Sequence, residues 1–161
     1  MALSLWRFPF VPCMIRGIGV RGEAMEVQGM KVLLTLYGDE TTWETEPEQI
    51  GKAMAGWEEF DNAAREAGVL IACDGLEPGH TATTIRVRDG RHHVTDGPFI
   101  ETKEQLGGYV LLEVADLDEA MAWAERLPWN YEGCVTEIRP IMDYEAYAAR
   151  AATATEESAT S

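Results

Sequence analysis

Thr95-Asp96-Gly97-Pro98-Phe99-Ile100-Glu101-Thr102-Lys103-Glu104-Gln105-Leu106-Gly107-Gly108-Tyr109 sets a turn, three acids, a base and a paired glycine between two strand-like runs. Asp-Gly-Pro cannot continue a strand. Gly97 tolerates positive φ, and Pro98 fixes its own φ and lacks an N–H. The proline also pushes Gly97 out of the α region. The chain therefore turns sharply at Asp96 and holds that carboxylate at a strand end. Phe99 reads as an apolar anchor. Glu101 to Leu106 is expected to form one helical turn, stopped by Gly107-Gly108 before the strand Tyr109–Val114.

Upstream of this stretch, Ala82 to Arg88 alternates as a strand and Arg91 to Asp96 returns. Asp89-Gly90 between them is a two-residue hairpin signal of type I′. That turn dictates the register. Arg88 faces Arg91, Arg86 faces His93 and Thr84 faces Thr95; on the other side Val87 faces His92, Ile85 faces Val94 and Thr83 faces Asp96. The Ile85/Val87/Val94 side is apolar and is expected to meet helices.

Further out, Met30 to Tyr37 is a nearly continuous apolar run of β-formers and reads as a central strand. Thr45 with Glu48 forms a capping box, Pro47 suits a first turn, and a helix follows to about Ala67. Its stripe Ile50, Met54, Trp57, Phe60 and Ala64 faces the core, and Gly68 stops it. Val69 to Cys73 is a short strand or extended segment. After Tyr109–Val114, Asp116 and Glu119 cap a helix from about Leu117 to Leu127. Ala120, Trp123, Ala124 and Leu127 lie on its inner face. Val135 to Ile141 is the last strand, and Asp143 caps a short terminal helix.

The fold class expected is α+β, ferredoxin-like β-α-β-β-β-α-β with a mainly antiparallel sheet. Helices cover one face, so the other face needs a partner.

The runs Ala82–Gly90, Thr95–Phe99 and Glu101–Tyr109 together resemble the YCII-related family. More narrowly they resemble its branch marked by Asp-Gly-Pro-Phe, over about Met30 to Pro140. The resemblance implies a dimeric α/β barrel: a homodimer, sheet against sheet. It also implies a small-molecule enzyme of isomerase, lyase or dehalogenating type acting on an anionic or aromatic-derived substrate, because relatives similar to muconolactone isomerase and chlorohydroquinone dehydrochlorinase share the barrel. A non-enzymatic ligand-binding or regulatory dimer is the alternative, since a fold does not fix a function.

Asp96 and His93 are the candidate catalytic residues, and Arg86, Arg88, Thr95 and Phe99 the candidate substrate-binding ones. Arg86, Arg88, Arg91 and His93 form the basic cluster of an acidic chain, suited to a carboxylate or phosphate. The register sets Asp96 on the opposite face from Arg86 and His93, so the turn has to swing the carboxylate round the strand end. The structural alternatives are a turn aspartate bonded to nearby N–H groups and a solvated or interface hairpin. In shorter relatives a histidine on the first helix faces an aspartate. This chain has no histidine between Met30 and Gly79, and Trp57 occupies mid-helix. His80, His92 and His93 are the available substitutes, of the residue type that titrates near neutral pH. Adjacent His92 and His93 point to opposite faces, so no metal site is expected, and no cofactor motif occurs. Glu101, Lys103 and Glu104 read as solvated ion-pairing groups.

The chain has 161 residues and a formal net charge of −15. All of that charge falls in 30–148, which holds nine basic and 24 acidic side chains. Such a surface repels phosphate backbones and anionic membranes, so neither is an expected partner. Cys13, Cys73 and Cys134 are widely spaced and form no C-x-x-C pair, so no disulfide framework or zinc site is indicated; Cys73 and Cys134, each beside a strand-like run, are expected to be buried reduced thiols, which suits a cytoplasmic protein. In residues 1–29 the run Leu3 to Val20 is apolar but broken by Arg7, Pro9, Pro12 and Arg16, too broken for a transmembrane helix; residues 1–29 therefore carry no membrane span. They read as a disordered extension or an upstream start, with Met25 or Met30 the natural one. The expected domain is 30–148, with a disordered tail at 149–161.

Overall fold

The computed structural model describes residues 29–43, 46–144 and 146–148. The expectations for the two ends of the chain, and for Thr45 as a cap, lie outside these residues. Among these residues six strands and two long α-helices follow in the order β1 (Met30–Asp39), α1 (Pro47–Glu66), β2 (Leu70–Gly75), β3 (Thr83–Arg88), β4 (Arg91–Asp96), β5 (Glu104–Val114), α2 (Leu117–Ala124) and β6 (Val135–Pro140). Four strands make one antiparallel sheet, ordered β2-β5-β1-β6. This is a ferredoxin-like α+β unit. The β3–β4 hairpin is inserted between its second and third strands as a separate two-stranded sheet. The order is β-α-β-β-β-β-α-β: all six runs that read as strands or extended segments form strands, one more than the five-strand formula counts.

Strand alternation places the core. Val32, Leu34, Leu36, Val110, Leu112 and Val114 are buried on one face. Phe60 and Ala64 of α1, Ala120, Trp123 and Ala124 of α2, and Leu127 join them in a single cluster. Phe60 stands edge-on to both Trp57 and Trp123, with centroids 6.1 and 6.0 Å apart, a favoured aromatic arrangement. Both helices pack on this face. Leu33, Thr35 and Leu111 on the other face are only half-buried.

The caps follow local chemistry. Asp116 accepts the Glu119 N–H at 2.9 Å, and Glu119 reaches back to the Ala115 N–H at 2.7 Å. In α1 the cap residue is Glu46, which makes no side-chain cap bond, and proline sits at the first turn. Asp143 accepts the Ala146 N–H at 3.0 Å.

The segment after the turn departs from expectation. Glu104, Gln105, Leu106, Gly107 and Gly108 are not a helical turn and its stop; they are the first half of β5. The glycines serve close approach instead. A Cβ on Gly107 would lie 3.0 Å from Trp43 Cζ2 and 3.1 Å from Trp129 Cη2, and one on Gly108 would lie 2.8 Å from the Asp74 carbonyl oxygen. The register of β1 against β5 shifts at Leu36/Tyr37, beside these residues.

The hairpin register is as derived from Asp89-Gly90, pair for pair. Asp89 and Gly90 hold φ of 51° and 71°, the values a type I′ turn requires. Its apolar side does not meet the helices: Ile85, Val87 and Val94 are exposed, because the hairpin stands apart from the main sheet. Phe99 is likewise exposed rather than an anchor. Cys73 and Cys134 are half-buried thiols. Among the described residues, no helix is long and apolar enough to cross a membrane.

Candidate functional site: a cleft at the Asp-Gly-Pro-Phe turn

Three pieces of chain meet at one end of the sheet. The first is the end of β1 with the 3-10 turn Glu40–Thr42; the second is the 3-10 turn Gly79–Thr81. The third is the turn Asp96-Gly97-Pro98 with the segment leading into β5. Between them lies an open cleft of about 610 Å³, with Asp39, Glu40, His80, Asp96, Glu101 and Lys103 among its lining residues.

Local bonds hold each wall. Gly97, at φ 86°, donates its N–H to the Ala82 carbonyl at 2.7 Å. The Thr84 hydroxyl donates to the Gly97 carbonyl at 2.8 Å. These two bonds pin the turn across the hairpin base without the Asp96 carboxylate. The Glu40 carboxylate accepts the Gly79 N–H at 2.5 Å and joins the two 3-10 turns. The Gln105 amide donates to the Thr102 carbonyl at 2.6 Å.

Asp39 is the most engaged acid. It accepts the Thr41 hydroxyl at 2.6 Å and the Thr41 N–H at 3.0 Å. The Lys103 ammonium stands 3.7 Å away. The Thr41 hydroxyl first, then its N–H, then the Lys103 charge hold the Asp39 carboxyl below its ordinary value. Lys103 is largely exposed, in line with the reading of it as a solvated ion-pairing group.

Among the described residues, neither the Asp96 carboxylate nor the His80 imidazole has a side-chain hydrogen-bond or ion-pair partner. Both are exposed and line the same cleft. The turn aspartate bonded to neighbouring N–H groups is therefore not what forms here.

The other sequence-derived candidates lie elsewhere. Arg86, Arg88, Thr95, His93 and Phe99 are not among the residues lining the cleft. Arg86 faces His93 on the side of the hairpin away from Asp96, and its guanidinium donates to the Phe99 carbonyl at 2.5 Å. His92 and His93 point to opposite faces, as the register requires. Asp39, Glu40 and Thr41 were missed. They end a strand that reads as core, and their part in the cleft comes from a contact to Gly79, 39 residues downstream. Among the described residues, no group of three or more His, Cys, Asp or Glu could hold a metal ion.

A family model described as the YCII-related domain matches residues 30–145. An uncharacterised protein of Rhizobium meliloti (strain 1021) is 36% identical over 113 residues, which span 68% of this chain and 90% of the relative. The match takes in both helices, all six strands and every residue of the cleft, and so the chain belongs to the YCII-related domain family.

Proposed function

We propose that the cleft binds a small organic molecule and moves a proton on it, as an isomerase or lyase does. In this reading Asp96 is the general base and takes a proton from a carbon next to a carbonyl or carboxylate. The charge left on the substrate oxygen is met by the Lys103 ammonium. His80 donates a ring proton of its own to another carbon or to a leaving group, and the proton held by Asp96 passes to solvent, from which His80 is reprotonated. The observation that carries the reading is the pair Asp96 and His80. They come from separate elements, line one cleft, and have no partner among the described residues. A functional acid is left available, whereas a structural one is tied down, as Asp39 and Glu40 are.

The lining also bears on the substrate class. Lys103 is the ammonium available to an anionic group in the cleft, while the hairpin arginines point elsewhere. A substrate with one anionic end, rather than a polyanion, fits this balance. Two copies are further proposed to pair sheet against sheet, which would cover the half-buried face around Leu33 and Leu111.

The test is a thermal-shift screen of a metabolite library on the full chain, followed by turnover assays on each hit. Asp96→Asn keeps shape and removes the charge. Because the carboxylate bonds nothing in the fold, its melt should match wild type within about 0.5 kcal/mol. Turnover should fall by roughly two to four orders of magnitude. A hit whose affinity and turnover survive both Asp96→Asn and His80→Gln would refute the site. A hit that binds through Asp96 and is never turned over would favour the ligand-binding alternative.

A further inference from the structure

β3 and β4 pair only with each other, so among the described residues each has an outer edge with no strand beside it. The two-residue loop Asp89-Gly90 makes Arg88 and Arg91 the first pair to exchange ladder hydrogen bonds, and Arg86 with His93 the next. The N–H and C=O groups of Ile85 and Val87 therefore point outward from β3. Such an edge is a template for another strand.

Side chains alternate along it. Arg86 and Arg88 stand on one face of the ribbon, Ile85 and Val87 on the other. All four are exposed. The arginines also lack counter-charges. Lys52, Arg65, Lys103 and Arg139 each pair with a carboxylate. Arg86, Arg88 and Arg91 have no ion-pair partner among the described residues, although residues 30–148 hold 24 acidic side chains against nine basic ones. Arg88 stands directly opposite Arg91, a like-charge pairing that costs stability until an anion covers it. A second copy's hairpin on this edge would set arginine against arginine, so charge selects an acidic occupant.

We propose that the β3 edge takes up an extended segment of another protein as a third strand, one in which acidic and apolar residues alternate. Paired antiparallel, its apolar residues lie beside Ile85 and Val87 and share main-chain hydrogen bonds with them. Its carboxylates meet Arg86 and Arg88. The third strand also completes a ribbon that is marginal as two. No residue of β3 lines the cleft, so this surface is independent of the chemistry proposed there.

The probe is a fluorescein-labelled peptide of three Glu-Val repeats, titrated with the full chain and read by fluorescence anisotropy. Saturable binding is expected. A peptide of the same composition with its glutamates and valines in two blocks should bind at least about tenfold more weakly. N-methylation of the valines removes the donors that face β3 and should cost at least about tenfold, whereas N-methylation of the glutamates, whose N–H groups face away, should be tolerated. Arg86→Gln/Arg88→Gln should weaken binding by about three- to thirtyfold. Arg88→Gln alone spares the Arg86 bond to the Phe99 carbonyl; it should weaken binding by about two- to fivefold with a melt that matches wild type. No saturable binding would overturn the proposal and leave the arginines as a guard against edge pairing. Equal binding of the two N-methylated peptides would overturn it as well, as would a block peptide that binds as tightly as the alternating one.

Discussion

Replacing Gly108 by alanine puts a methyl against the β2 backbone. A Cβ there would sit 2.8 Å from the Asp74 carbonyl oxygen and 3.3 Å from Gly75 Cα. Both neighbours are backbone, so no rotamer change relieves the contact. β2 must move away along the Gly75↔Gly108 register or the strand must bend. Overpacking of this kind costs about 1–3 kcal/mol. The alanine returns about 0.4–1 kcal/mol by restricting the unfolded chain, which leaves a net loss of about 1–2 kcal/mol. For a folded unit of roughly 100–120 residues that is a fall in Tm of about 4–8 °C. Gly51→Ala is the matched control. It makes the same chemical change in the interior of α1, where a Cβ meets nothing within 4 Å. Helix propensity there predicts a gain of about 0.5–1 kcal/mol and a rise of about 2–4 °C. Calorimetry of the two variants beside wild type gives opposite signs if space decides the outcome. A Gly108→Ala protein that melts with or above wild type would refute the close approach.

The Thr41 hydroxyl is the first cause of the lowered Asp39 carboxyl. A lowered folded-state value means stability that is present above the ordinary value of 3.8 and lost as pH falls through the folded one. Thr41→Val should raise the Asp39 titration, seen by carboxyl-carbon NMR, and flatten the acid limb of urea melts below about pH 4; an unmoved titration would remove the hydroxyl's role. Asp116→Ala deletes the N-cap of α2 and should cost about 0.5–2 kcal/mol by urea melt. A loss below the error of the melt would mean that Glu119 and the first-turn acids hold the helix end alone.

The features legible in the sequence were those fixed by neighbours in the chain. Asp89-Gly90 fixes the hairpin register because a type I′ turn allows one pairing only. The core stripe of α1 and the inner face of α2 follow from helical period, and Asp116/Glu119 cap α2 through bonds spanning three or four residues. Where long-range contacts decide, the reading failed. Gly107-Gly108 looks like a helix stop in a local window. It is a thin place in a strand, required by Trp43, Trp129 and the β2 backbone. The alternation of β3 and β4 correctly marked an apolar face, yet alternation cannot say what lies against it. The cleft was half legible. Asp96 is announced by its Gly-Pro turn, and His80 was named only as one histidine of three. Asp39 and Glu40 carry no local signal, since the bond from Glu40 to Gly79 exists only once β1 and the loop after β2 are side by side.

The cleft sits at this end of the sheet for a packing reason. Gly38 and Gly107 lie on β1 and β5, next to the register shift at Leu36/Tyr37. With no side chains there, Trp129 and Trp43 lie over the strands edge to face, 6.3 Å between centroids. The Trp129 indole N–H donates to the Tyr37 carbonyl at 3.2 Å, and the Tyr131 ring packs against Trp129 with centroids 5.8 Å apart. Trp43 is the residue that closes the 3-10 turn Glu40–Thr42. Its packing therefore fixes where β1 stops being a strand, and so where Asp39, Glu40 and Thr41 face the Asp-Gly-Pro turn. The aromatic group lines none of the cleft. It sets the wall that does, while the wall opposite is set by two hydrogen bonds at the hairpin base. The hairpin base thus belongs to both features that the sequence leaves unexplained: it fixes the Asp96 turn on the cleft side and carries the open apolar ribbon on the other.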